Sequence, residues 1–167
     1  MGKTMDNLAA AFAGESQANR KYLAFAKKAD QEGFGQIAKL FRAAAEAETV
    51  HAHGHLRAMG GIKDTKANLQ ESVVGESHEF KVMYPEFIAT AKEEGEKTAL
   101  KMFEWANEVE EIHHGLYEQA AAAIEAGNDL PSSEIHVCSV CGNTVIGACP
   151  DKCSVCGVPG SKFEQIS

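Results

Sequence analysis

No apolar run in this 167-residue chain approaches the length of a membrane span, which argues against a helix that crosses a bilayer. Positive charge is also scarce. There are 16 Lys and Arg against 24 Asp and Glu, giving a net charge of −8 and a pI of about 5.4. A surface of that sign repels phosphate, so neither nucleic acid nor an anionic membrane is an expected partner. No Gly-x-Gly-x-x-Gly fingerprint is present, and the chain is not expected to bind NAD(P)H itself. The opening residues run straight into an amphipathic pattern with no signal-peptide core. The cysteine count of 5 is odd, and all but Cys149 fall in Cys-x-x-Cys pairs. That usage favours metal binding in a reducing cytoplasm over a secreted disulfide framework.

What the chain does have begins with those pairs. Cys138-Ser-Val-Cys141-Gly and Cys153-Ser-Val-Cys156-Gly each place two thiols on one tight turn. Two such turns facing one another form a tetrahedral S₄ site, which holds zinc or iron. Cys149 lies outside both pairs and reads as a free thiol.

The rest of the chain is helical in pattern, and its 44% hydrophobic content is rich in Ala, as packed helices require. Periodicity and stop signals predict helices over about 6–31, 36–59, 67–93 and 97–126, separated by Gly33-Phe34-Gly35, Gly60-Gly61 and Gly95. Four helices of this length with short loops describe a four-helix bundle. The domains expected are a bundle over 1–130, a linker over 131–135 and a small Cys-rich β/loop module over 136–167. Such a module is too small to bury a core without a metal. Pro85 falls inside the third helical pattern and predicts a kink or irregularity there.

The two halves of the helical region repeat one another at an offset of 62: Tyr22 and Tyr84, Phe25 and Phe87, Phe41 and Phe103, Glu48 and Glu110, His51 and His113. Gly14-Glu15-Ser16 instead matches Gly75-Glu76-Ser77, at an offset of 61. One extra residue therefore lies between Ser77 and Tyr84, and a π-bulge is the expected way to absorb it.

Each helix carries an apolar stripe interrupted by acid near its middle: Glu15, Glu48, Glu76 with Glu79, and Glu110. Carboxylates meeting inside an apolar core cannot all stay ionised without cations among them. Glu48-x-x-His51 and Glu110-x-x-His113 put acid and imidazole on one helix face. With Glu15 and Glu76 they match a di-metal plan of one Glu from each of two helices and Glu-x-x-His from each of the others. Glu79 is surplus to that plan, and is either a surface residue or an extra ligand. Tyr22 and Tyr84 read as core tyrosines or as hydroxyls bordering the metal cavity. His113 is favoured over the adjacent His114, His53 faces elsewhere, and His55 is a weaker neighbour of the site. His78 and His136 have no supporting pattern.

These residues together resemble the rubrerythrins: Gly14-Glu15-Ser-x-Ala-x-x-x-Tyr22, Glu48-x-x-His51, Gly75-Glu76-x-x-Glu79 with Tyr84-Pro85, Glu110-x-x-His113, and the paired Cys-x-x-Cys-Gly knuckles. The resemblance spans essentially the whole chain. It implies a mainly α fold, with a ferritin-like four-helix bundle binding two non-haem irons, followed by a rubredoxin-like module with one iron on four cysteines. It also implies a cytoplasmic enzyme that reduces hydrogen peroxide with electrons from an external reductase or rubredoxin. The glutamate matching Glu79 would exchange with His51 as an iron ligand on oxidation and reduction. A homodimer or larger assembly would bring the Cys₄ module of one subunit near the di-iron site of its partner. The rival readings are a ferroxidase using dioxygen, and a Cys₄ site that holds structural zinc. One departure from the family pattern is Asn143, where rubredoxin-like modules usually carry an aromatic, and another is Cys149 before Pro150.

Overall fold

The computed structural model describes residues 2–167. They form two compact units, one up to Lys63 and one from Asp64 to Ser167.

The first unit is a helical hairpin of α1 (Lys3–Gln31) and α2 (Gly35–Ala58). Gly33 makes the turn with φ of 84°, a left-handed conformation that costs a residue without a Cβ nothing. Small residues set the approach of the helices: Ala26, Ala29, Ala38, Ala45 and Ala52 are its buried positions. Among the described residues of this unit, nothing larger than alanine is buried. Asn19 ties the pair, its Nδ2 donating to the Ala45 carbonyl at 2.7 Å and to Thr49 Oγ1 at 2.8 Å. Arg42 and Asp30 pair at 2.7 Å.

The second unit holds the third helical pattern in three pieces: α3 (Thr65–His78), a π-helical turn (Glu79–Met83) and α4 (Tyr84–Glu94). The expected π-bulge is there, within the interval that the shifted repeat marked. The Tyr84 N–H donates to the Glu79 carbonyl, one residue further back than α-helical bonding would reach. Pro85 follows in the first turn of α4, so the irregularity its position predicted is the π turn itself. Asp64 caps α3 by accepting from the Ala67 N–H at 2.8 Å. Gly95, the repeat partner of Gly33, turns the chain at φ 73° into α5 (Lys97–Glu125), which packs along α3, the π turn and α4.

The Cys-rich segment builds a three-stranded antiparallel sheet of order β2-β1-β3, with β1 at Ile135–Cys138, β2 at Thr144–Ile146 and β3 at Phe163–Gln165. Its knuckles are closed by glycines: the Gly142 N–H donates to the Cys138 carbonyl at 2.9 Å, and Gly157 does the same to Cys153 at 3.0 Å. His136, for which the sequence offered no pattern, is a buried strut whose Nδ1 lies 3.1 Å from the Gly147 carbonyl. A Cβ added at Gly160 would collide with the Pro150 carbonyl, and backbone on both sides cannot yield cheaply. Gly160→Ala is therefore expected to destabilise the module by about 1–3 kcal/mol and to speed loss of its metal to a chelator. Wild-type release kinetics in that variant would contradict this packing.

Candidate metal centres

Four cysteines converge in the small module. Cys138, Cys141, Cys153 and Cys156 have all their sulfurs within 4.8 Å of one another. Cys138 and Cys156 Sγ are 3.7 Å apart, and Cys141 and Cys153 Sγ are 3.6 Å apart. A tetrahedron with metal–sulfur bonds of about 2.3 Å has edges of about 3.8 Å, so the donor set fits one such ion. Burial opposes ionisation of Cys153. The N–H groups of Cys156, the Asn143 side chain and Val155 outweigh it and bring that thiol down to about 6. Burial pushes Cys141 and Cys156 up, so a metal must displace their protons. Asn143 is buried where an aromatic was expected, and its Nδ2 donates to Cys153 Sγ at 3.6 Å and Ser154 Oγ at 3.2 Å. Cys149 is exposed and stands apart from the cluster.

The carboxylates and histidines gather as two triads, one in each unit: Glu15, Glu48 and His51, and Glu76, Glu110 and His113. Within each triad the ligand atoms lie within 4.8 Å of one another. His51 Nδ1 is 3.1 Å from Glu48 Oε2 and 3.9 Å from Glu15 Oε2. His113 Nδ1 is 2.8 Å from Glu110 Oε2 and 3.9 Å from Glu76 Oε1. The repeat thus extends to the side-chain atoms. It extends to the titrations as well. A hydrogen bond shared with Glu48 holds Glu15 above the usual carboxylate range, while the same bond and His51 hold Glu48 below it. Burial, then the shared bond to Glu110 and its charge, raise Glu76 to about 7. Glu110 is held low by His113 despite burial.

The surrounding residues follow the same symmetry. Tyr22, Phe25 and Phe41 form one ring cluster and Tyr84, Phe87 and Phe103 the other. Burial raises the Tyr84 hydroxyl, and the charges of Glu110, Glu79 and Glu76 raise it further. Glu79 belongs to neither triad. It sits at the start of the π turn, raised by burial and by the charge of Glu110. His114 is occupied elsewhere, with Nδ1 3.1 Å from the Val73 carbonyl and Nε2 3.4 Å from Glu118. The charge of His55 reaches Glu15.

Sequence spacing gave no hint of Thr144. Its hydroxyl, on β2 of the Cys-rich module, lies 3.0 Å from His113 Nε2 and donates to the Gly142 carbonyl at 3.2 Å. With its one proton committed to Gly142, the Thr144 oxygen accepts from Nε2–H. That leaves Nδ1, the nitrogen facing the carboxylates, free of a proton for a metal.

A helical protein with paired Glu/His triads and a sheet module bearing an S₄ site is of the non-haem iron carboxylate class in its donor chemistry. The family model described as Rubrerythrin matches residues 6–121. Rubrerythrin-2 of Clostridium acetobutylicum is 33% identical, over 98% of this chain and 96% of its own length. Nigerythrin of Nitratidesulfovibrio vulgaris is 38% identical, over 98% of this chain and 86% of its own. The solved structure of fully reduced, all-ferrous nigerythrin superposes with a TM-score of 0.59 at 34% identity, covering 99% of this chain and 88% of that one. The chain belongs to the rubrerythrin family, and its mainly α fold with a small Cys₄ sheet module is the family's. Its cofactors are those of the family, a pair of non-haem irons and a single metal on the four cysteines.

Glu76 supplies a test. A carboxyl raised from 4.5 to about 7 favours the metal-free fold when protonated. That contribution is present in full below about pH 4.5 and is lost as pH rises toward 7. Metal needs the ionised form, so uptake at pH 6 is expected to release more protons per metal than at pH 8, and to be weaker. Calorimetry in buffers of differing ionisation enthalpy checks this; proton release independent of pH across that range would contradict it.

Proposed function

We propose that this chain is an oxidoreductase that reduces hydrogen peroxide to water, with electrons passing from an external donor through the Cys₄ iron to the di-iron pair. A di-ferrous pair held by these carboxylates and histidines would supply both electrons that cleavage of the O–O bond requires, with no need to release a radical. One peroxide takes up two electrons and two protons and leaves as two waters. The metal ligands in this reading are Glu15, Glu48, His51, Glu76, Glu79, Glu110 and His113, with Cys138, Cys141, Cys153 and Cys156 around the relay iron.

The protein's own contribution is placement and protons. Tyr84 keeps its proton at neutral pH because burial and three nearby carboxylates oppose its ionisation, so it can donate a hydrogen bond to a peroxide oxygen. Tyr22 takes the matching role in the first half of the repeat. Glu79 is the movable acid: its place on a π turn gives it an irregular stretch of backbone on which to shift toward or away from a metal.

One observation carries this reading above the iron-oxidising alternative: Thr144 of the Cys₄ module holds His113 of the triad at 3.0 Å. A protein that only handled iron would have no use for a one-electron site coupled to its metal ligands. The test is rapid mixing of anaerobically reduced protein with peroxide or with dioxygen. Oxidation by peroxide is expected to be at least ten times faster; faster oxidation by dioxygen would overturn the assignment. The same apparatus tests Glu79. Glu79→Ala is expected to retain its iron and to lose about tenfold or more in turnover, the order of a general-acid or ligand contribution. Undiminished turnover would show that Glu79 is a bystander.

A further inference from the structure

Asn143 stands where an aromatic was expected, and it is buried against a metal ligand. Among the described residues the buried polar side chains are His136 and Asn143, 6% and 2% exposed. His136 leans on a backbone carbonyl, that of Gly147. Asn143 is used differently. Its Nδ2 carries two protons, and its partners are Cys153 Sγ at 3.6 Å and Ser154 Oγ at 3.2 Å. An amide withdrawn from water costs free energy unless it is bonded, and an aromatic or a leucine would fill this position without that cost.

The same residue reaches both knuckles. Its backbone N–H donates to the Cys141 sulfur, on the first knuckle. Its side chain donates to Cys153, on the second. Any residue here would supply the backbone bond, so a substitution isolates the contribution of the side chain. Cys153 is itself 2% exposed, and it also accepts from the N–H groups of Cys156 and Val155 in its own turn.

Charge decides what such a donor does. Four thiolates around a ferric ion carry one net negative charge, and two when the ion is ferrous. Burial opposes the second charge, as it opposes any charge taken out of water. An N–H aimed at a sulfur favours the state in which that sulfur is the more negative. Around Cys153 no solvent can take the donor's place, so the bond acts at full strength.

We propose that the Asn143 side chain raises the reduction potential of the Cys₄ iron through its N–H to Cys153 Sγ, easing uptake of one electron from the external reductase. This rests on the relay reading above. Asn143 touches no substrate; it acts through a sulfur. Its sequence neighbours tie the module to the triad, since the Thr144 hydroxyl lies 3.0 Å from His113 Nε2 and donates to the Gly142 carbonyl. The residue that sets how readily the relay fills thus lies within the stretch of chain that leads to His113.

A redox titration of the iron-loaded, full-length protein, followed at the visible absorption of ferric thiolate, reads the potential. Asn143→Leu and Asn143→Tyr both remove the side-chain donor and keep the backbone one. Each is expected to shift the equilibrium about tenfold toward ferric, a fall of about 59 mV for one electron. Ser154→Ala removes the other partner of the same amide and is expected to leave the potential near that of the wild type. An unchanged potential in both Asn143 variants would overturn the proposal. So would an equal fall in Ser154→Ala, which would mark the effect as one of packing. A second readout needs no iron and decides the matter should a variant fail to hold it. With spin-active cadmium on the cysteines, magnetic resonance of the wild type is expected to show scalar coupling between the metal and an Asn143 Nδ2 proton. Absence of that coupling would overturn the bond and the proposal with it. Protein that shows the coupling but is isolated with zinc and no ferric-thiolate absorption would overturn the relay reading instead.

Discussion

Mutual repulsion among carboxylates inside an apolar helical surface is the constraint on which this molecule turns. Glu15 and Glu48, and again Glu76 and Glu110, are close enough to share a hydrogen bond, and in each pair one acid is pushed up while the other is pulled down. A pair of like charges settles that way when only one of them can ionise. A divalent cation removes the conflict and lets both remain charged. Folding, metal uptake and redox chemistry therefore draw on the same few side chains.

The internal repeat explains how so small a chain supplies six matched ligand groups. One hairpin, used twice, places the same acids, the same imidazole and the same Tyr-Phe-Phe ring cluster. The second half carries one inserted residue that the first lacks, and it opens as the π turn that carries Glu79 and abuts Tyr84 and Pro85. The asymmetry lies beside the acids, where exchange of a ligand would require backbone freedom on one side only. The Cys₄ module adds the second asymmetry by engaging the triad of the second half through Thr144.

Much of this was legible in the sequence, because periodic spacing and metal-ligand spacing are local quantities. The helix ends fell within a few residues of the glycine signals, the π turn was implied by the slip from 62 to 61, and the paired Cys-x-x-Cys knuckles needed no structure to be read as one S₄ site. Two features escaped. Thr144 is 31 residues from His113, and no spacing rule joins a strand hydroxyl to a helix imidazole across that distance. Asn143 registered only as a missing aromatic, whereas its use is as a donor to a cysteine sulfur.

The central claim is that cations sit among these acids. The direct measurement is metal analysis per chain combined with Mössbauer and visible spectra of the protein as isolated. Two irons per chain in a spin-coupled pair are expected, with one further iron that shows the visible absorption of ferric thiolate. A correctly folded protein that takes up metal on its cysteines and none on its glutamates would contradict it.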